Sequence, residues 1–401
     1  MGELPNIQKF IERGVAREDL IMQGGHPTIT PPMWTTMATG TCPGTHGITC
    51  FWNPDPENLD TLSYALDSRK CKSEPLWNVF AEAGKKTLVW QWPGSSWPPT
   101  SDDPNLYVVD GTTPGFVGTG NAAIDWEKVI IADKTFTEVI YQPRIQVKNG
   151  AGCVLTDLDL DEETNGVSAG IMSGGNNGGV TNIELSEADG ELGLDDTPID
   201  VINSPIKKAA GWTDVPADAL EFTMVVGNGY VRRPCLILKN AQGIYDHIAI
   251  YENKKAAQPL VTVRADEPLK QFHEEVAADD RKVLCVRNIK VDVLAEDGSH
   301  IKMWISAAMD IHQDSVWHPK RLYQDVVKNV GYPCSEAMLG AFDERMVTDC
   351  MLANWEVASR WQSGAINYLL KQEGYEVVFS HFHNIDLQGH MLVQFLKRGN
   401  S

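Results

Sequence analysis

Residues 73–92 read SEPLWNVFAEAGKKTLVWQW, and the two halves of this stretch follow different patterns. In the first half Leu76, Trp77 and Phe80 fall at helical spacing, with Pro75 near the start and Gly84 where the pattern stops. Proline is tolerated in a first helical turn because its missing N–H would have no partner there, and glycine closes helices because it takes the left-handed conformation. Ser73 stands where its hydroxyl can cap this helix. The second half, TLVWQW at 87–92, is almost continuously apolar, the pattern of a strand buried on both faces. A helix followed at once by such a strand predicts an α/β sheet with crossover connections.

Upstream, residues 26–48 read HPTITPPMWTTMATGTCPGTHGI. Met33 to Thr39 can form a short helix closed by Gly40, and Thr30 before Pro31-Pro32 is expected at its N-cap. Free backbone N–H groups and the positive end of the helix dipole would then point outward beside the Thr30 hydroxyl, a suitable place for phosphate. The same residues also suit a simple structural cap, with the threonine oxygen accepting from the first turn. Earlier still, Ile7, Phe10 and Ile11 make a short helical stripe over residues 5–13 that ends at Gly14.

Downstream, the composition shifts near residue 145. Short β-type runs at 222–226, 235–238, 248–251 and 260–263 alternate with turn residues, and 289–293 and 301–305 both alternate with period two around Asp297-Gly298. GGNNGG at 174–179 lacks the Lys-Ser/Thr of a phosphate loop and reads as a surface loop. DLDLDEE at 157–163 carries Glu162 where a calcium loop needs glycine and reads as a solvated acidic loop. Helical periodicity returns at about 343: Val347, Met351, Trp355, Ala358, Trp361, Ala365 and Leu369 step by three or four along one face, up to Gly374. Residues 375–380, YEVVFS, predict a strand, and HFHNID follows directly. Asp386 is thus expected beyond the strand's C-terminal end, the edge at which open α/β sheets bind ligands. Asp386 and His390, four residues apart, can share one ion if they lie on a helical turn. His381 and His383 precede them at strand spacing.

The 401 residues suffice for two or three domains, and 42% apolar with 22% charged residues is an ordinary globular composition. With 34 basic and 54 acidic residues the net charge is −20, which disfavours nonspecific binding to nucleic acid or to an anionic membrane. The eight cysteines form no CxxC pair, as expected of reduced thiols in the cytoplasm. Neither a signal peptide nor a run of transmembrane length is evident.

The 26–48 stretch resembles the nucleophile segment of the alkaline phosphatase superfamily, in particular its type I phosphodiesterase/nucleotide pyrophosphatase-like branch. Thr30, Pro32, Trp34, Thr35, Thr36, Thr39, Gly40, Pro43, His46, Gly47 and Ile48 match the bacterial pattern. Leu76-Trp77, the turn at 83–86 and the segment 93–99 resemble the same branch, and Asn384 to His390 resembles its metal-ligand segment. The resemblance spans about 1–125 and 311–401. It implies an alkaline-phosphatase-like α/β sheet core with helices on both faces and a β-rich insertion: core at 1–145, insertion or cap at 146–310, and return to the core at 311–401. It further implies a metal-dependent phosphoric ester hydrolase. Thr30 would be nucleophile and metal ligand, Asp386 and His390 would be ligands of one ion, and two divalent ions, zinc foremost, would act through a phosphothreonine intermediate. The substrate would be a small phosphate ester or a nucleotide. Met33 stands where the resembled pattern often has an asparagine that donates to phosphate. The branch's N-terminal metal-binding Asp and its later Asp-His pair have no counterpart here, so weak or no activity is expected of this chain alone. The alternatives are a phosphomonoesterase or phosphomutase of the same superfamily, or a noncatalytic binding protein that has lost its metals.

Overall fold

The computed structural model describes residues 4–15, 26–54, 62–111, 124–125, 127–142, 153–154, 184–185, 200–227, 229–278, 281–311, 314, 316–333 and 346–386. The loops read at 157–163 and 174–179, and His390, lie outside the described residues.

The helix–strand unit at 73–92 forms as expected. The helix is Leu76–Glu82, and it leads into β1, Thr87–Trp92. In the four-stranded sheet around it, β1 pairs in parallel with β2 (Leu106–Asp110) and with β4 (Val377–Ser380), while the short β3 (Trp317–His318) runs antiparallel along β2. Alternation along β1 and β2 sends side chains to both faces, and helices cover both. Val89, Trp92, Leu106 and Val108 pack against Trp77 and Ala81 of the 76–82 helix and against Ala38. On the opposite face Leu88, Trp90, Tyr107 and Val109 meet Leu322, Tyr323 and Val326 of helix Arg321–Asn329, and Trp361, Ala365, Ile366 and Leu369 of helix Leu352–Glu373. This is the α/β core with helices on both faces. The long helix follows a π turn, Val347–Met351, and ends at Gly374, whose φ of 65° is the left-handed closure that the sequence predicts.

The period-two runs become strands of two further sheets. One has five strands, in the order 207–208, 220–226, 231–239, 245–250, 261–264. The other joins 270–278, 281–294, 300–305, 128–133, 200–205 and 140–142, and the expected pairing of 289–293 with 301–305 is present with a bulge between Val291 and Val293. This sheet also draws on strands before residue 146, namely Lys128–Asp133 and Ile140–Gln142. The two sheets share one core that includes Ile130, Ile202, Phe222, Met224, Ile237, Ile250, Ile289 and Met303. Trp355, near the start of the long helix, packs on the other face of the second sheet with Val129, Val201 and Trp304. The same helix thus underlies both the α/β sheet and the β-rich part.

Two local expectations differ from the structure. The helix at 76–82 is preceded at its cap position by Pro75 and has no side-chain cap. Ser73 is too far ahead of the first turn, and its hydroxyl instead accepts from Thr41 Oγ1 at 3.0 Å. The second difference concerns Thr30 and is described with the site. The helix Pro5–Arg13 is present, yet none of its residues is buried, and the Ile7, Phe10, Ile11 stripe is left exposed.

Candidate active site

The helix that carries Thr30, here α1, spans Thr30–Thr39. It starts one turn position earlier than the sequence predicts: the cap residue is Ile29, in extended conformation, and Thr30 is the first helical residue. Two consecutive prolines make this start permissible, since the first four N–H groups of a helix lack partners within it. They also thin out its anion-binding capacity. Pro31 and Pro32 supply no N–H, and the N–H of the cap residue Ile29 is already donated to Pro27 O at 3.0 Å. Of the four first-turn groups, Thr30's own N–H is left to face an anion. The helix terminus therefore offers a hydroxyl and one amide, not the cradle of amides that a cap position implies.

Close packing fixes α1 on the C-terminal edge of the four-stranded sheet. Trp34 lies one turn from Thr30 on the same helical face. Its ring meets Trp92 and His381 edge-on, with centroids 4.7 Å away in each case. Trp92 Nε1 donates to Trp34 O at 3.3 Å, and Thr35 Oγ1 is 2.9 Å from Ser95 Oγ in the buried turn after β1. A second tether runs through His46. Its Nδ1 accepts the Ile48 N–H at 3.1 Å, so the proton resides on Nε2, which donates to Thr36 Oγ1 at 3.1 Å. Burial holds the His46 imidazole below its ordinary pKa, in keeping with this neutral form.

The HFHNID segment leaves β4 at the same edge. His381 N–H donates to Trp90 O at 3.0 Å, and its Nδ1 lies 3.1 Å from Gln91 O. A carbonyl only accepts, so Nδ1 carries the proton and Nε2 keeps its lone pair, the form in which imidazole binds metals and accepts protons. Burial, helped by neighbouring His383, lowers the His381 pKa to about 4, so the ring is neutral near pH 7. His383 follows with its ring centroid 5.2 Å from that of His381, and its Nδ1 is 3.9 Å from Asp386 Oδ2. The Asp386 side chain is half exposed. Asn384 Nδ2 donates to Ser359 Oγ on the long helix. The structure thus brings α1 and the 381–386 segment to one edge of one sheet. Among the described residues, however, no three His, Cys, Asp or Glu side chains converge closely enough to hold a metal ion. Asp386 and His381 on their own do not make a metal centre.

Gln91 lies at the centre of this edge and escapes a sequence reading. The register of β1 against β2 shifts between Trp90 and Trp92, and Gln91 takes a φ of 51°. This bulge turns Trp92 to the face of Val89 and directs the Gln91 carbonyl at His381. Gly111 lets the chain pass: a Cβ there would come within 2.2 Å of Gln91 O. The one signal in the sequence is a glutamine inside an otherwise apolar run.

A short α/β sheet with helices on both faces, and a threonine-bearing helix against its C-terminal edge, are consistent with an alkaline-phosphatase-like α/β fold. Residues 1–163 match the family described as type I phosphodiesterase / nucleotide pyrophosphatase, which belongs to the alkaline phosphatase superfamily. The family comprises phosphoric ester hydrolases, typically metal-dependent, that act on small phosphate esters or nucleotides. No solved structure matches the chain significantly. No helix among the described residues is long and apolar enough to cross a membrane.

Proposed function

We propose that this chain is a metal-dependent phosphodiesterase or nucleotide pyrophosphatase in which Thr30 is the nucleophile. The observation that carries the reading is the meeting of two distant motifs. Trp34, one turn from Thr30, touches His381, which opens the segment that ends in Asp386 and His390. Thr30 Oγ forms a bond to phosphorus as one P–O ester bond breaks, and the leaving alkoxide takes a proton. The product on Thr30 is a phosphothreonine, still bearing the retained ester group when the substrate is a diester. Water then cleaves the threonine–phosphorus linkage. By resemblance Thr30, Asp386 and His390 are metal ligands, and two divalent ions, zinc foremost, would supply positive charge for the hydroxyl and the transferring phosphoryl group. This chain's residues hold Thr30 in line: Trp34, Thr35 and Thr36 pin its helix to Trp92, Ser95 and His46. The β-rich part is assigned a role in substrate access, and the unpaired cysteine pattern favours the cytoplasm. Hydrolysis of a bis-aryl and a mono-aryl phosphate by wild type and Thr30→Ala, with metal analysis, tests the reading. Equal turnover by Thr30→Ala, or protein that binds no metal, would overturn it.

A further inference from the structure

Gln91 combines three properties that a purely structural residue rarely shares. It is fully buried, and neither its Oε1 nor its Nε2 has a hydrogen-bond partner. It holds a left-handed backbone conformation that a non-glycine residue adopts at a cost, on the order of 1 kcal/mol or more. It sits in the bulge that ends the central strand, at the edge where α1 and the 381–386 segment meet. A buried carboxamide without partners is unfavourable by roughly 1–3 kcal/mol, so folding alone would select a methionine or leucine here. Asn384 Oδ1, in the segment that follows β4, is also buried and unpartnered.

We propose that Gln91 is a ligand-binding residue of this site, whose side-chain amide donates to an oxygen of the bound phosphoryl group. Because the carboxamide has no hydrogen bonds to break, rotation about its side-chain torsions toward the ligand forfeits none. The bulge keeps the two functions of the residue apart: the carbonyl fixes His381, and the side chain is left for the ligand. This inference rests on the phosphoester reading for the chemical class of the ligand, and its test is read on binding and not on turnover.

Inorganic phosphate is titrated calorimetrically into full-length wild type, Gln91→Met, Ser96→Ala and Thr30→Ala, at a temperature where each is folded, alongside thermal denaturation. Ser96 donates to Trp92 O within the same buried turn, so its alanine variant disturbs the turn while sparing the amide. The expected result is phosphate affinity about tenfold or more weaker in Gln91→Met, the loss of one hydrogen bond to a charged group, and near wild type in Ser96→Ala. The Tm of Gln91→Met is expected to equal or exceed that of wild type. Phosphate affinity of Gln91→Met within twofold of wild type overturns the proposal, as does equal weakening in Ser96→Ala or absence of phosphate binding by wild type. Full hydrolytic turnover by Thr30→Ala would instead remove the nucleophile reading while the phosphate titration still decides the role of Gln91.

Discussion

His381 is predicted to make the metal-free protein acid-sensitive through one side chain. The ring is buried, its Nδ1–H is committed to Gln91 O, and burial lowers its pKa from the ordinary 6.5 to about 4. Between these values the unfolded chain binds a proton that the folded chain refuses. Stability is therefore complete above about pH 6.5 and falls as the pH drops through the window to about 4. The gap is roughly 2.5 pH units, and at about 1.4 kcal/mol per unit the loss is roughly 3 kcal/mol. His381→Asn keeps an N–H near the Nδ1 position and does not titrate. Urea denaturation of both proteins in EDTA, from pH 7 to pH 4, isolates the effect, because the carboxylates common to both cancel. Wild type should lose roughly 3 kcal/mol more than the variant over this range. Parallel curves, or a smaller loss for wild type, would refute the assignment of a buried, neutral, Nδ1-protonated ring.

Other perturbations bear on the scaffold. Arg287 is fully buried in the β-rich part and holds Asp125 through two bonds of 2.7 Å and Glu274 through Nε, with Lys128 and Arg233 as further partners of these carboxylates. Arg287→Met leaves two buried carboxylates short of a cation and should lower stability by about 3–5 kcal/mol in urea titrations; a loss below about 1 kcal/mol would contradict this. Gly111→Ala drives a methyl into Gln91 O and should lower stability by about 1–3 kcal/mol, with a changed imidazole NMR signal for His381; an unchanged Tm and signal would show that the close approach is not real. Thr36→Val leaves the buried His46 Nε2–H without this acceptor and should be destabilising by about 1–3 kcal/mol, which chemical denaturation can check.

The sequence made the α/β unit legible wherever a pattern is local. The helix at 76–82 and strand β1 follow from spacing and a continuous apolar run, and the long helix follows from its stripe. Local pattern failed where neighbouring residues compete for one role. Pro75 displaced Ser73 from the cap, and the Pro31-Pro32 pair allowed the Thr30 helix to start one residue early. It also failed at Gln91, because a one-residue bulge changes which face Trp92 occupies without altering composition. Thr30 and Asp386 stand out in the sequence pattern, but the arrangement that brings α1 and the 381–386 segment to one edge does not. That arrangement depends on contacts such as Trp34 with His381 and the Gln91 carbonyl with His381, which join parts of the chain hundreds of residues apart. His390 lies outside the described residues, so its pairing with Asp386 stays with the sequence pattern.

The central claim is that Thr30 attacks phosphorus, and its most direct test is chemical trapping. Full-length protein is mixed with a bis-aryl phosphate, quenched in acid within the first turnover, digested, and its peptides are analysed by mass spectrometry. The account predicts an aryl phosphate ester on the peptide containing Thr30, at Thr30 itself, and none in Thr30→Ala. Turnover without a phosphorylated Thr30 peptide, or an adduct on another residue, would contradict it.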